Sequence, residues 1–227
     1  MTVGALVQAR MSSSRLPGKV LRPLAGRPLL SYLLERLVRC ESLQRVVVAT
    51  SADASDDPIA DFCASQEVEC HRGSLDDVAW RFLESADAAG LDTFVRVNGD
   101  SPLLDQRLVD HGVELFLREH CDLATNLLPR SFPEGQSVEV ISVAALRRAH
   151  ADMDPADREH VTTLFYREAA LFEIRTFSAP EDWSAVRLVV DTEDDAQTME
   201  RLLTHMDRPH WEYDCAALIS LAQGVAG

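Results

Sequence analysis

Val3-Gly4-Ala5-Leu6-Val7-Gln8-Ala9-Arg10-Met11-Ser12-Ser13-Ser14-Arg15-Leu16-Pro17-Gly18-Lys19 is the stretch on which the reading of this chain turns. It begins as a short apolar run of strand length and continues into small hydroxylated residues, cations and a Pro-Gly turn. A loop of that make-up at the end of a buried strand brings backbone amides, hydroxyls and ammonium groups onto one anion, as a polyphosphate requires. Pro17 disfavours helix at Leu16 and Gly18 permits a sharp turn, so Arg15 and Lys19 flank one phosphate group while Arg10 lies deeper at the strand end. Five cations, Arg10, Arg15, Lys19, Arg22 and Arg27, precede the first acid, Glu35, although the formal net charge of the chain is -15. Charges more than about 8 Å away are largely screened at physiological salt, so the local sign governs this corner.

Outward from that loop, apolar runs of strand length alternate with stretches of helical period. Val3 to Val7 precedes a helix over Leu29 to Val38; Arg45 to Ala49 precedes a helix over Pro58 to Ala64. Val68 to Cys70 then leads to a helix from about Leu75 to Ala88, and Thr93 to Val97 to one from about Asp105 to Arg118. This β-α order predicts an α/β fold with a largely parallel sheet covered on both faces. After Cys121 the segments shorten: Leu123 to Thr125, Ser137 to Ile141, a helix from about Arg158 to Ala169, Phe172 to Phe177, and Val186 to Val190 before a helix that follows Thr192. The expected organisation is one domain over 1–227, with a half that carries the polyphosphate loop, 1–120, and an acceptor or dimerisation half, 121–227, that completes the sheet. Ligands gather at the carboxyl ends of strands in such sheets, so the loops Gln8 to Lys19, Ala49 to Asp53, His71 to Ser74 and Asn98 to Pro102 are expected to share one rim.

Composition removes several classes. The five cysteines are scattered without a C-x-x-C, and no histidine spacing suits zinc, which fits a reduced, cytoplasmic setting. No apolar run approaches the roughly 20 residues that span a bilayer, and the acidity argues against duplex DNA or an anionic membrane. The ten glycines include no G-x-G pair, Gly18-Lys19 lacks the rest of a P-loop, and G-x-S-x-G is absent.

Two further stretches carry chemistry. In Val95-Arg96-Val97-Asn98-Gly99-Asp100-Ser101-Pro102 a carboxylate sits just past a buried strand, where Mg²⁺ binds through one or two carboxylates plus phosphate oxygens. Asp105, further on, is expected to cap the following helix. In Val189-Val190-Asp191-Thr192-Glu193-Asp194-Asp195, Thr192 and Asp195 read as a capping box, whereas Asp191 ends the apolar run and is left over. Were the two strands neighbours, Asp100 and Asp191 would grip one Mg²⁺ from both sides.

Taken together, these stretches resemble the cytidylyltransferase superfamily that includes CMP-Kdo synthetases, acylneuraminate cytidylyltransferases and, above all, the spore coat polysaccharide biosynthesis cytidylyltransferase-like proteins. The resemblance runs from Gln8-Ala9-Arg10 through Arg72-Gly73-Ser74, Gly99-Asp100-Ser101-Pro102-Leu103, Pro133-Glu134-Gly135, Val138-Glu139-Val140 and Glu159-His160-Val161-Thr162 to Val190-Asp191-Thr192. It implies a three-layer α/β/α fold like the nucleotide-binding domain of A-type glycosyltransferases, a homodimer, and Mg²⁺-dependent transfer of CMP from CTP to a small acidic sugar in surface glycan biosynthesis. It places Arg10 and Lys19 at the CTP phosphates with Arg15 nearby, these three catalytic, counts Gln8 and Ala9 with them as nucleotide-binding, and puts Asp100 and Asp191 on Mg²⁺. Arg72, Gly73 and Ser74 would lie near the cytidine, although Ser74 also suits a cap for the helix from Leu75. Glu139, Glu159 and His160 would face the acceptor, and for His160 an interface or core role reads equally well. The chain departs from the pattern at Gln136-Ser137, where relatives carry Leu-Asp; this bears on the acceptor side. Two rivals follow: a glycosyltransferase that uses a nucleotide-sugar, for which Asn98-Gly99-Asp100 offers one acid of an Asp-x-Asp, and a non-catalytic nucleotide-binding subunit.

Overall fold

The computed structural model describes residues 1–225. The opening stretch folds as strand β1 (Val3–Gln8), a single 3₁₀ turn (Lys19–Leu21), a small hairpin of β2 (Pro23–Leu24) and β3 (Arg27–Pro28), and helix α1 (Leu29–Leu37). Next come β4 (Arg45–Ser51), α2 (Asp57–Ser65), β5 (Glu69–Gly73), α3 (Val78–Ala88), β6 (Thr93–Asn98) and α4 (Gln106–Glu119). The later half supplies β7 (Leu123–Thr125), β8 (Glu139–Ser142), α5 (Val143–His150), α6 (Pro155–His160), α7 (Thr163–Arg167), β9 (Ile174–Thr176), α8 (Glu193–Thr204) and α9 (Cys215–Val225).

Seven strands form one sheet in the order β5-β4-β1-β6-β8-β7-β9. β1 lies between β4 and β6 and is parallel to both, with Leu6 opposite Val47 on one side and Arg96 on the other. β8 alone runs antiparallel to its neighbours β6 and β7, so the sheet is mostly parallel, as the alternation of strands and helices predicts. Neighbouring residues along each strand point to opposite faces, and here both faces are dry. Ala5, Val7, Val48, Val95 and Val97 pack with Leu30 and Leu33 of α1, Ile59 of α2 and Val109 and Val113 of α4. Leu6, Val47, Phe94 and Ile141 pack with Phe82 of α3, Leu146 of α5 and Phe165 of α7. Each such Val, Leu, Ile or Phe side chain contributes roughly 1.5–3 kcal/mol by leaving water.

A third apolar cluster joins Leu24, Leu29 and Tyr32 to Leu103, Leu188, Val190, Met199 of α8 and Leu218 of α9. Arg36 ties this region to α4. Fully buried, it donates to the carbonyls of Leu104 (2.7 Å), Tyr213 (2.7 Å) and His210, and lies 3.6 Å from Asp105. Burial pushes its guanidinium down to about 10, so it stays charged at neutral pH. Asp105 caps α4 as expected, accepting from the Arg107 amide, and its other oxygen accepts from the Cys215 amide at 2.8 Å.

Four local readings change. The helix expected from Leu75 starts at Val78, because Asp77 caps it through the Trp80 amide and Ser74 instead accepts from the Asp77 amide. The helix expected over Arg158 to Ala169 is split into α6 and α7 at Val161, which has φ 58° and ψ -54°. There the Thr162 amide closes onto the His160 carbonyl at 2.6 Å, a γ-turn that a β-branched residue adopts only under strain. Val186 to Val190 is extended but stays outside the sheet, bridged only to Glu134 through Arg187. Gly135 makes that approach possible: at φ +93°, a Cβ there would stand 2.3 Å from the Leu188 carbonyl oxygen. The fourth is a set of elements the sequence reading did not name: α5, α9 and the small β2-β3 hairpin, the last too short to leave an apolar run.

Candidate active site

The strand ends do form one rim. The Gly99 amide donates to the Gln8 carbonyl at 2.8 Å, and the Ala52 amide to that of Gly73 at 2.8 Å, knitting the β1, β4, β5 and β6 ends together. The cationic loop is folded on itself: the Met11 carbonyl accepts from the amides of Ser13 (2.9 Å) and Gly18 (2.8 Å). Gly18 takes φ +71° and turns the chain into the Lys19 3₁₀ turn, the sharp turn that Pro17-Gly18 promises.

Lys19 is only 8% exposed, and its Nζ lies 2.6 Å from both Asp100 Oδ2 and Asp191 Oδ1. The two carboxylates, 91 residues apart in sequence, are therefore within about 5 Å of each other. What joins them is main chain: the Val190 amide donates to the Asp100 carbonyl at 2.9 Å. Asp191 also meets Arg15 at 2.9 Å. Arg187 stands 4.0 Å from Asp191 and is itself held by Asp195 and Glu134. Behind Asp191 the capping box of Thr192 and Asp195 sets the start of α8. Burial acts to raise the Asp195 carboxyl, yet hydrogen bonds from Arg187 and from the amides of Asp191 and Thr192 hold it below its ordinary value.

Arg15, Lys19, Asp100 and Asp191 line a polar cleft of about 350 Å³, together with Gln8, Arg10, Ser13, Ser14 and His160. Arg10 lies 3.6 Å from Glu159 and also faces a second cavity of about 370 Å³, whose walls include Leu75, Asp77, Arg158 and Glu159. The predicted phosphate-side residues and both aspartates thus converge; His160 reaches the same cleft from the end of α6, while Glu159 lines the second cavity. Ala9 is buried beneath it.

Other predicted residues are elsewhere. Arg72 donates to the carbonyls of Ser51 and Asp53, both at 3.0 Å, and pairs with Asp57 at 2.6 Å. Gly73 and Ser74 form the turn behind the second cavity without lining it. Glu139 is buried, paired with Arg96 at 2.6 Å and accepting from the Tyr166 hydroxyl; Arg96 in turn reaches Gln8 Oε1 at 3.4 Å. Burial, reinforced by the Glu139 charge, pushes the Tyr166 phenol well up, so that hydroxyl keeps its proton. Glu139 therefore braces the cleft from below. Gln136, at the departure from Leu-Asp, is also a brace: its fully buried amide accepts from the Asp105 amide (2.9 Å) and donates to the Leu103 carbonyl (2.8 Å).

Asp56 was not foreseen. It is fully buried, takes the Met11 amide at 2.7 Å and is paired with the Ser51 hydroxyl, so it fixes the base of the cationic loop. In sequence it sits in the acid-rich run Asp53 to Asp57, and only its burial distinguishes it from neighbours that cap.

A mostly parallel α/β sheet whose carboxyl rim gathers cations and two aspartates around a polar cleft is the arrangement a nucleotidyltransferase requires. Comparison with known proteins narrows the class. The cytidylyltransferase family model matches residues 4–214. The spore coat polysaccharide biosynthesis protein SpsF of Bacillus subtilis is 32% identical over 206 residues, covering 87% of this chain and 84% of that protein. A cytidylyltransferase structure from Leptospira borgpetersenii superposes with a TM-score of 0.94 at 31% identity, over 99% of this chain and 94% of that one. A CMP:2-keto-3-deoxy-manno-octonic acid synthetase complexed with CTP shares the fold at a TM-score of 0.69 and 18% identity, over 90% and 99% of the two chains. The chain belongs to the cytidylyltransferase family.

Proposed function

We propose that this enzyme transfers CMP from CTP to an acidic sugar, with release of pyrophosphate, in polysaccharide biosynthesis. The observation that carries this reading is the Lys19 ammonium set 2.6 Å from both Asp100 and Asp191, at a cleft lined by Arg10 and Arg15. An acceptor oxygen attacks the α-phosphorus of CTP in line; the new O–P bond forms as the bond to the bridging oxygen of the pyrophosphate breaks. Lys19, Arg15 and Arg10 neutralise the charge that gathers on the departing group, and the loop amides hold its geometry. No protein nucleophile is needed.

The donor set fits Mg²⁺: two carboxylates within reach of one site, opening onto space for phosphate oxygens. Held by Asp100 and Asp191, that ion would supply further charge neutralisation at the phosphates. The acidic character of the acceptor rests on the kinship with the CMP-Kdo synthetases; Arg158 and Glu159 line the second cavity and His160 the phosphate cleft, on the side where it would be received.

Melting curves with the four nucleoside triphosphates, with and without Mg²⁺, test the nucleotide half. CTP with Mg²⁺ is expected to raise Tm most, and pyrophosphate release over a panel of acidic sugars should then identify the acceptor. Equal shifts for all four triphosphates, or release of a nucleoside diphosphate from a nucleotide-sugar, would overturn the proposal.

Asp56→Ala is expected to raise the KM for CTP about tenfold while changing kcat less, because a charged hydrogen bond worth roughly 1.5–3 kcal/mol holds the loop rather than the reacting atoms. Steady-state kinetics of pyrophosphate release read this directly. An unchanged KM would show that the loop keeps its shape without this anchor.

A further inference from the structure

The Lys19 ammonium stands where a metal ion would have to stand. Its Nζ is 2.6 Å from Asp100 Oδ2 and 2.6 Å from Asp191 Oδ1, in a largely buried setting. Mg²⁺ lies about 2.0–2.1 Å from a carboxylate oxygen, so an ion held by these two oxygens needs the space that Nζ fills. Ammonium and metal are therefore alternatives at one point, since both together would press like charges against each other away from bulk water.

The rest of the cleft points the same way. Arg15 holds the second oxygen of Asp191 at 2.9 Å, and the Ser101 hydroxyl donates to the second oxygen of Asp100 at 3.3 Å, so each oxygen of both carboxylates is met by a donor of the chain itself. Three cations, Arg10, Arg15 and Lys19, face the two carboxylates across the cleft. A bare divalent ion thus meets an engaged and net positive site, whereas a triphosphate reverses the balance and offers Nζ new acceptors. The Lys19 main chain is fixed, its amide donating to the Leu16 carbonyl at 3.2 Å and its carbonyl accepting from the Arg22 amide at 3.1 Å, so the flexible stem of the side chain is what moves.

We infer that Lys19 keeps the metal site shut until nucleotide arrives: the triphosphate draws Nζ off Asp100 and Asp191, and the two freed carboxylates then take the divalent ion that comes with it. This rests on the reading of the cleft as a CTP site. One movement of Lys19 thereby serves both of its roles, counter-ion to the aspartates in the free protein and counter-ion to the phosphates in the complex. It also sets the order of binding. The free protein turns the ion away, and nucleotide and metal each raise the affinity for the other by the same factor.

The test follows Mn²⁺, which suits the same carboxylate ligands, by electron paramagnetic resonance on nucleotide-free protein, so it needs no turnover. Lys19→Met is expected to bind Mn²⁺ at least about tenfold more tightly than the wild type, within the usual range of such couplings, and adding Asp191→Asn should abolish the gain. Equal Mn²⁺ affinity in the wild type and a folded Lys19→Met overturns the inference while leaving the CTP reading intact. A gain that survives Asp191→Asn overturns it too, by showing only that a positive charge was removed. If Lys19→Met does not fold, the wild type decides. In crystals grown with CTP and Mn²⁺, the metal located by anomalous scattering, Nζ is expected on phosphate oxygens and Mn²⁺ on Asp100 and Asp191; Nζ still bonded to both carboxylates overturns the inference. A wild type that binds no CTP overturns both proposals together.

Discussion

Lys19→Met is expected to lower kcat/KM for CTP by about 10²–10³-fold, the scale of losing one preorganised charge at developing negative charge. Two effects add. The ammonium proposed to neutralise the departing pyrophosphate is gone, and Asp100 and Asp191 lose the group that sits 2.6 Å from each. Arg15 still reaches Asp191 at 2.9 Å but is exposed, so it compensates little. Initial rates of pyrophosphate release at saturating and limiting CTP measure the loss. Wild-type turnover in a folded Lys19→Met protein would remove Lys19 from the reaction and the cleft from its proposed role.

The other large effect is on stability. Arg36→Met is expected to cost about 3–5 kcal/mol, which for a chain of this size is a Tm drop of roughly 6–20 °C. Methionine fills the volume but leaves three carbonyls, of Leu104, His210 and Tyr213, without their donor and Asp105 without a nearby charge. Arg36→Lys should recover little, because one ammonium does not reproduce the planar fork that serves three acceptors. Thermal unfolding followed by circular dichroism checks both, and a shift of Arg36→Met smaller than about 2 °C would contradict the account.

The elements that carry the site were legible because each ends a buried apolar run. Val3 to Val7 and Thr93 to Val97 announce strands, and the charged residues just beyond them fall on the rim that a parallel sheet creates. Asp191 was picked out for the right neighbourhood on partly the wrong ground: Val186 to Val190 is extended but is no strand of the sheet, and a single amide bond from Val190 brings it to Asp100. Capping at Asp105 and Thr192 was readable because caps are local. Asp56, Arg36 and Gln136 were not, since their meaning lies in partners far along the chain and in burial, neither of which periodicity encodes. Glu139 shows the converse: a motif residue whose carboxylate turns out to be fully engaged by Arg96 and Tyr166. The break at Val161 escaped notice because a β-branched apolar residue is the last expected in a left-handed turn.

The tie between Val190 and Asp100 has a bearing on how the enzyme is born. Lys19 waits 172 residues for its second counter-ion, so the pairing forms only after a ribosome has made the chain past Asp191. Closure over so long a span is entropically late. Partial products of translation that stop short of Asp191 carry the positive loop without its second counter-ion.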